Sequence, residues 1–240
     1  MRKGFAFVCA LALWLLAALP AALADGGPFD SGVLRGWDES EGYQYLRFGA
    51  YQQEYADEPI LWRVLAVKDG RALLLSELIL DARPFDSRLP EEGGTNEWEY
   101  SELCAWMNEE FINRAFSRFE RDIILKNGEA GKVFVPSNAE LTNPDYGFLK
   151  AKYEPDPGRA AAATLHAYDA GLWKSPSGET SSYYTRTKPN EKNAQHVNSS
   201  GALGLARIER TNVGVRPALW LNIEYLPFTT GDGSREDPFR

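Results

Sequence analysis

Two histidines, His166 and His196, are the side chains best suited to exchange a proton near neutral pH, and the sequence has no others. If they met in the folded chain with Asp169, they could form a shared acid/base or metal site. The alternative is that each is a structural histidine on a buried or a surface position. One hypothesis is therefore an extracellular hydrolase that acts on polysaccharide or peptide through His166, Asp169 and His196.

Aromatic side chains form 12% of the chain, and several of them lie in or beside segments with loop composition. Exposed rings beside Asn and Asp can stack on the apolar faces of sugars, whereas rings in the core only fill space. The loop-associated rings are Trp37, Trp98, Trp173, Tyr183 and Tyr184.

The loop from Lys188 to Asn193 is rich in oxygen-bearing side chains. These residue types suit a calcium site or a sugar site, and they are equally common in a plain solvated loop. Combining this loop with the aromatic candidates, we predict a ligand-binding surface made of Trp173, Tyr183, Asn190, Asn193, His196 and Asn198.

Other signatures of catalysis are missing from the sequence. There is no His-Glu-x-x-His metal helix, nucleophile elbow, phosphate loop or dinucleotide fingerprint. Acidic residues are abundant, but no spacing singles out a catalytic pair. Cys104 falls in a predicted helix, where a buried and inert thiol is expected. We predict no catalytic residue, no metal and no cofactor.

The stretch 213–221 is predicted to organise the fold around any such site. Its apolar residues occupy both faces of an alternating pattern, which is typical of one strand inside the protein. Arg216 would then need carboxylate or carbonyl partners, and Pro217 would need an open side or a bulge. The side chains predicted to be structural are Arg216, Trp62, Trp106 and Trp220.

Local signals predict the other elements. Lys68-Asp69-Gly70 between two apolar runs indicates a hairpin. Ser101 can cap a helix that has a break near Asn108. The further predictions are an extended segment at 78–85, a short helix from the Ser137–Glu140 capping box, a helix at 160–168, a strand at 183–186, and a closing meander of 195–198, 202–208 and 213–223.

The N-terminus has the pattern of a secretory signal peptide. Arg2 and Lys3 precede an apolar run, and Ala22-Leu23-Ala24 is a cleavage site; an uncleaved anchor is the alternative. We predict a secreted, extracellular or cell-envelope protein that does not contact the membrane after cleavage. Removing Arg2 and Lys3 takes the net charge from −8 to −10, which argues against a nucleic-acid partner. The predicted segments are a signal peptide at 1–24, a leader at 25–42, one domain at 43–226 and a C-terminal tail with an exit linker at 227–240.

Several short stretches carry a family resemblance. They are Ile60-Leu61-Trp62-Arg63-Val64-Leu65, Leu73-Leu74-Leu75-Ser76, Trp98 with Ser101, Trp106-Met107-Asn108, Phe111 with Ala115-Phe116, and Gly214-Val215-Arg216-Pro217-Ala218-Leu219-Trp220. Together, over residues 43–223, they resemble a widespread bacterial domain of unknown function found in secreted and surface proteins.

The Gly-Val-Arg-Pro-Ala ending is also similar to the Gly-Phe-Arg ending of the formylglycine-generating-enzyme and C-type-lectin-like superfamily. That resemblance implies an α+β fold of C-type-lectin-like type, with a twisted antiparallel sheet, two or more helices and long loops that present ligands. The chain departs from these patterns at three places. Its strand 183–187 differs in sequence from the strand that the family often has, and Cys104 alone cannot supply the two thiols that the oxidases use. Of the calcium motif of the lectins, it keeps only Pro189-Asn190. Our prediction is a non-catalytic binding module for an extracellular glycan or protein. The hydrolase and a purely structural scaffold are the alternatives.

Overall fold

The computed structural model describes residues 34–176, 178–190, 192–226 and 228–240. The predicted signal peptide and residues 25–33 of the predicted leader lie outside the described residues. Antiparallel sheets and helices occur together, which confirms the predicted α+β class. None of the helices in these ranges has the length and apolar character needed to span a bilayer.

The elements follow one another in short segments. The strands are β1 (Tyr45–Gln52), β2 (Asp57–Lys68), β3 (Arg71–Ser76), β4 (Asp81–Ala82), β5 (Ile124–Leu125), β6 (Val133–Phe134), β7 (Ala161–Ala162), β8 (Thr180–Ser181), β9 (Tyr183–Thr185), β10 (Asn193–Val197), β11 (Leu203–Arg207), β12 (Gly214–Val215) and β13 (Ala218–Asn222). The α-helices are α1 (Glu102–Trp106), α2 (Ile112–Ala115), α3 (Arg118–Ile123), α4 (Asn138–Leu141) and α5 (Leu165–Asp169). A π-helical turn spans Met107–Phe111, and 3₁₀ turns span Pro90–Glu92, Trp98–Tyr100, Gly128–Ala130, Pro144–Tyr146 and Ile223–Tyr225.

Two sheets form the framework. The first sheet has the order β1-β2-β3-β13-β5, with β6 also paired to β13, and the second has the order β11-β10-β9-β12-β4. All pairs are antiparallel except β12 with β9. The predicted hairpin joins β2 to β3, and both Asp69 and Gly70 have positive φ there, as a type I′ turn requires.

The prediction of one continuous strand over 213–221 is wrong, because the chain changes sheet at Arg216 and Pro217. Strand β12 belongs to the second sheet and β13 to the first. Pro217 has no N–H for a ladder, but its carbonyl accepts a hydrogen bond from Ser76 N at 2.8 Å. Arg216 therefore lies at the junction of the two sheets, with no exposed surface.

The predicted helix that begins at Ser101 is present, and so is the predicted break near Asn108. The Ser101 side chain accepts a hydrogen bond from Cys104 N, and α1 passes into the π-helical turn that contains Asn108. The Asn108 side chain donates to Cys104 O and Val133 O, and it accepts from the backbone of Lys132 and Val133. This one side chain ties the helical segment to β6.

Two predicted elements are shorter than expected. The helix predicted at 160–168 is replaced by β7 and the short α5, because Ile79 N bonds to Ala162 O and Thr164 caps α5. The extended segment at 78–85 contains only the two residues of β4. The first two strands of the predicted meander are present as the β10–β11 hairpin. The third predicted strand is divided: β12 pairs with β4 and β9, and β13 belongs to the first sheet.

Among the described residues, 34–42 and the last residues of the chain pack on the domain, where a leader and an exit linker were expected. Leu34 is buried, and Trp37 N bonds to Leu65 O at 3.3 Å. At the other end, Phe239 pairs with the edge of β1, since Arg47 N donates to Phe239 O at 2.9 Å. The segment predicted to be an exit linker thus covers the outer edge of the first sheet.

Candidate functional site

A cleft of about 530 Å³ opens at one end of the second sheet. That volume is within the range of small-molecule sites. Its walls come from the residue between β8 and β9, from β10 and the turn after it, from the loop between β11 and β12, and from the segment that precedes β8. The lining residues that matter here are Trp173, Ser182, His196, Asn198, Arg210 and Asn212.

His196 forms part of the floor of the cleft. It lies on β10 between Tyr184 of β9 and Gly204 of β11. A Cβ at position 204 would lie 3.3 Å from His196 Nε2, so the missing side chain leaves room for the imidazole. The Nδ1 atom is buried and has no hydrogen-bond partner among the described residues. Burial lowers the pKa of His196, and the charge of Arg210 lowers it further, which favours a neutral ring at pH 7.

Trp173 presents an accessible ring on a fixed backbone. Its side chain is 43% exposed. Its N–H donates to Asn212 O at 3.1 Å, and its carbonyl accepts from the Ser181 hydroxyl. Anchoring on both sides of the residue reduces the entropy that ligand binding would have to remove.

Asn198 and the turn that follows it present polar groups. Asn198 Oδ1 accepts hydrogen bonds from Ser200 N, Ser200 Oγ and Ala202 N at 2.7–3.1 Å. These bonds orient the amide, and among the described residues nothing accepts a bond from its Nδ2 group. Asn198 therefore offers two donor hydrogens beside the histidine.

Arg210 supplies the charge of the cleft. Its carbonyl accepts a bond from Tyr184 Oη at 3.2 Å, and its N–H donates to Arg207 O at 3.3 Å. The side chain is exposed, and within the described part of the chain its guanidinium forms no ion pair. Of the described residues that line the cleft, none is acidic.

The structure brings three of the six predicted binding residues together and places the other three elsewhere. Trp173, His196 and Asn198 come together in this cleft. Asn193 lies toward the other end of β10 and lines a separate cleft with Lys192 and Glu209. Asn190 uses its Oδ1 to accept bonds from the N–H groups of Lys192 and Asn193, so it closes its own loop.

The prediction that Tyr183 contacts a ligand is wrong, because its ring is fully buried. Its hydroxyl donates to Arg159 O at 2.7 Å and accepts from Arg216 Nη1 at 3.2 Å. Arg216 also donates to Ser76 O and Arg159 O, so its observed partners are neutral oxygens. This network lies between the sheets and supports β9 beneath the cleft.

Arg159 is a buried residue that sequence reasoning missed. With no exposed surface, it donates to the carbonyls of Gly201, Leu141, Leu149, Ala151 and Glu154 at 2.6–3.2 Å. Its Nη1 also lies 3.4 Å from Asp156 Oδ2. One guanidinium thus holds the long loop of residues 142–158 against the turn that borders the cleft.

The two histidines do not meet. His166 Nε2 lies 3.7 Å from Asp81 Oδ2 on β4, and Asp81 also accepts a bond from Tyr51 Oη at 2.6 Å. Strands β12 and β9 separate β4 from β10, which corresponds to roughly 14 Å at the usual strand spacing. Asp169 is exposed and contacts neither ring among the described residues.

The three predicted structural tryptophans occupy different depths. Trp62 is fully buried and donates from Nε1 to Phe48 O at 2.7 Å. Trp106 is nearly buried, with the Arg83 guanidinium 4.1 Å above its ring. Trp220 is half-buried, and Arg71 lies 5.9 Å from its ring centre.

No group of three or more potential metal ligands occurs among the described His, Cys, Asp and Glu side chains. The buried thiol of Cys104 has a pKa raised to about 11 by its removal from water, which disfavours the reactive thiolate. The described part of the chain thus offers neither a preformed metal centre nor an activated nucleophilic cysteine.

These features define a mixed α+β domain with a polar cleft that contains one aromatic and one cationic side chain. The model of a domain of unknown function, DUF6273, matches residues 69–223, more than half of the chain, so the chain belongs to this family. The match includes every residue named above as lining the cleft. Comparisons with curated proteins and with solved structures gave no match.

Proposed function

We propose that this protein is a secreted or cell-surface, non-catalytic binding module, and that its ligand is a glycan held in the cleft around Trp173. The single observation that carries the proposal is the accessible ring of Trp173 on an anchored backbone, in the same cleft as the polar side chains of His196 and Asn198. A sugar needs this pairing of an apolar ring face with oriented hydrogen-bond groups.

The geometry favours binding over hydrolysis. A hydrolase built on His166, Asp169 and His196 would need the three side chains in one pocket within hydrogen-bond reach. His166 instead contacts Tyr51 and Asp81 of β4, an edge strand that β12 and β9 separate from the strand of His196. A purely structural scaffold does not require an accessible tryptophan, such as Trp173, in the same cleft as polar groups without a partner among the described residues.

We also propose that the domain is related to the C-type-lectin-like fold and acts outside the membrane without a nucleic-acid partner. Two largely antiparallel sheets, long loops that border a cleft, and a buried arginine in the Gly-Val-Arg-Pro-Ala ending support the fold relation. The signal-like N-terminus supports export, which a reporter fused behind residues 1–24 would test. A cytoplasmic reporter would contradict it.

The test of function is a glycan array probed with the full chain and two variants. Trp173→Ala should reduce retention of any bound glycan by about two- to twelvefold, because losing a stacked ring costs on the order of 0.5–1.5 kcal/mol. Tyr225→Ala removes another exposed aromatic, 63% accessible, that does not line the cleft, and it should leave retention unchanged. Absence of any retained glycan, or equal loss in both variants, would contradict the proposal.

A further inference from the structure

Arg210 stands apart from the buried and half-buried arginines that pair with acids elsewhere in the fold. Arg63 lies 2.8 Å from Glu77, and Arg186 lies 2.6 Å from Glu140. Arg210 has no such partner among the described residues, although the chain as a whole has a net charge of −8. An exposed guanidinium left free in an acidic protein is available to an external anion.

The surroundings of Arg210 leave it uncompensated. The cleft-lining residues near it are neutral, since His196 favours its uncharged form and the others are Asn, Ser, Trp and Val. The turn carrying Arg210 is anchored by Tyr184 Oη, so the base of the side chain has a fixed position. A guanidinium presents its donors in a fork that fits both oxygens of a carboxylate.

Neutral groups complete the site around this charge. The His196 ring lines the cleft and favours its neutral form, and the amide hydrogens of Asn198 are free among the described residues. Such groups suit hydroxyls rather than a second charge. Trp173 supplies the apolar surface that a sugar ring needs.

Resting on the proposed glycan-binding function, we propose that the cleft selects a sugar acid, with Arg210 pairing to its carboxylate while Trp173 stacks on its ring. The specificity-determining residue is then Arg210, and Trp173 provides affinity shared by acidic and neutral sugars. These separate roles allow the two proposals to fail separately.

The experiment compares methyl β-D-glucuronide with methyl β-D-glucoside, which differ only at C6, by NMR titration of the full chain. The glucuronide should bind about tenfold more tightly, as a charge-assisted hydrogen bond would give. Arg210→Gln should abolish the preference, and Arg210→Lys should restore part of it through the charge alone. Arg118→Gln, at an exposed arginine on α3 that does not line the cleft, should change neither affinity.

The outcomes separate the inference from the function on which it rests. Equal binding of the two glycosides by the native chain, with loss of both in Trp173→Ala, would overturn the sugar-acid inference and leave glycan binding intact. A preference that persists in Arg210→Gln would also overturn the inference. If neither glycoside binds and the glycan array retains nothing, the proposed function itself fails.

Discussion

At the residue scale, the physical state of His196 decides how the cleft can interact with a ligand. Burial and Arg210 both lower its pKa below the ordinary 6.5. In the folded chain it therefore holds its proton less tightly than in the unfolded chain. Its contribution to stability is fully present above pH 6.5, and it is lost as the pH falls through 6.5 toward the folded-state pKa.

We predict that an NMR titration will give His196 a pKa below 6.5, with a rise toward that value in Arg210→Gln. Burial is the larger cause, so the variant should recover only part of the shift. The chain has two histidines, and the signal lost in His196→Gln identifies the one in the cleft. Arg118→Gln, at an exposed arginine that does not line the cleft, should leave the titration unchanged. A native His196 that titrates at 6.5 or above would refute the burial argument.

Arg159 gives a second prediction at this scale. Replacing it by Met leaves five carbonyls without their donor and should lower the free energy of unfolding by about 3–5 kcal/mol. Urea denaturation followed by tryptophan fluorescence would measure the change. The matched control is Arg47→Met, at an exposed side chain, with an expected change within about 0.5 kcal/mol. Similar values for the two variants would show that the buried network contributes little.

Sequence reasoning found some cleft residues and missed others for a physical reason. Trp173, His196 and Asn198 belong to residue types that suggest binding wherever they occur in loops. Arg210 was overlooked because its importance comes from the absence of a nearby acid, which depends on folding. Tyr183 was misplaced because an apolar strand and an exposed aromatic loop look alike over a few residues.

At the element scale, local signals were reliable and long-range pairing was not. The Ser101 cap, the Ser137–Glu140 capping box and the Asp69-Gly70 turn are each decided by a few neighbouring residues, and all are present. The change of sheet at Arg216 depends instead on Ser76 and on β9, which lie far away in the sequence. No alternation pattern within 213–221 carries that information.

The helical segment offers a prediction that uses two asparagines in one element. Asn108→Ala should lower the free energy of unfolding by about 2–3 kcal/mol, because two donors and two acceptors lose one shared partner. Asn113, at an exposed position of α2, donates to Glu109 O in the same segment and to no other described residue. Asn113→Ala should cost less than about 1 kcal/mol. Thermal unfolding of both variants provides the comparison, and equal effects would contradict the role given to Asn108.

At the scale of the whole molecule, the described chain ends are part of the domain. Residues 34–42 pack beside β2, and the last residues cover the edge of β1. An exposed sheet edge invites pairing with other chains, so the tail protects the first sheet. Composition suggested a linker because residues 231–234 are Gly, Asp, Gly and Ser, and Phe239 near the end of the tail was too isolated a signal to reveal the contact.

Phe239 is the residue on which this closure of the domain depends. It is 5% exposed, its ring contacts Phe228, and its backbone exchanges hydrogen bonds with Tyr45 and Arg47. Phe239→Ala should lower the free energy of unfolding by about 3 kcal/mol, and opening the edge of β1 should increase light scattering near the unfolding midpoint. Phe119→Ala, at a ring that is 59% exposed, should change stability by less than about 0.5 kcal/mol. If Phe239→Ala unfolds and scatters like the native chain, the tail is not a structural part of the domain, and the boundary predicted from composition near residue 226 would be the better one.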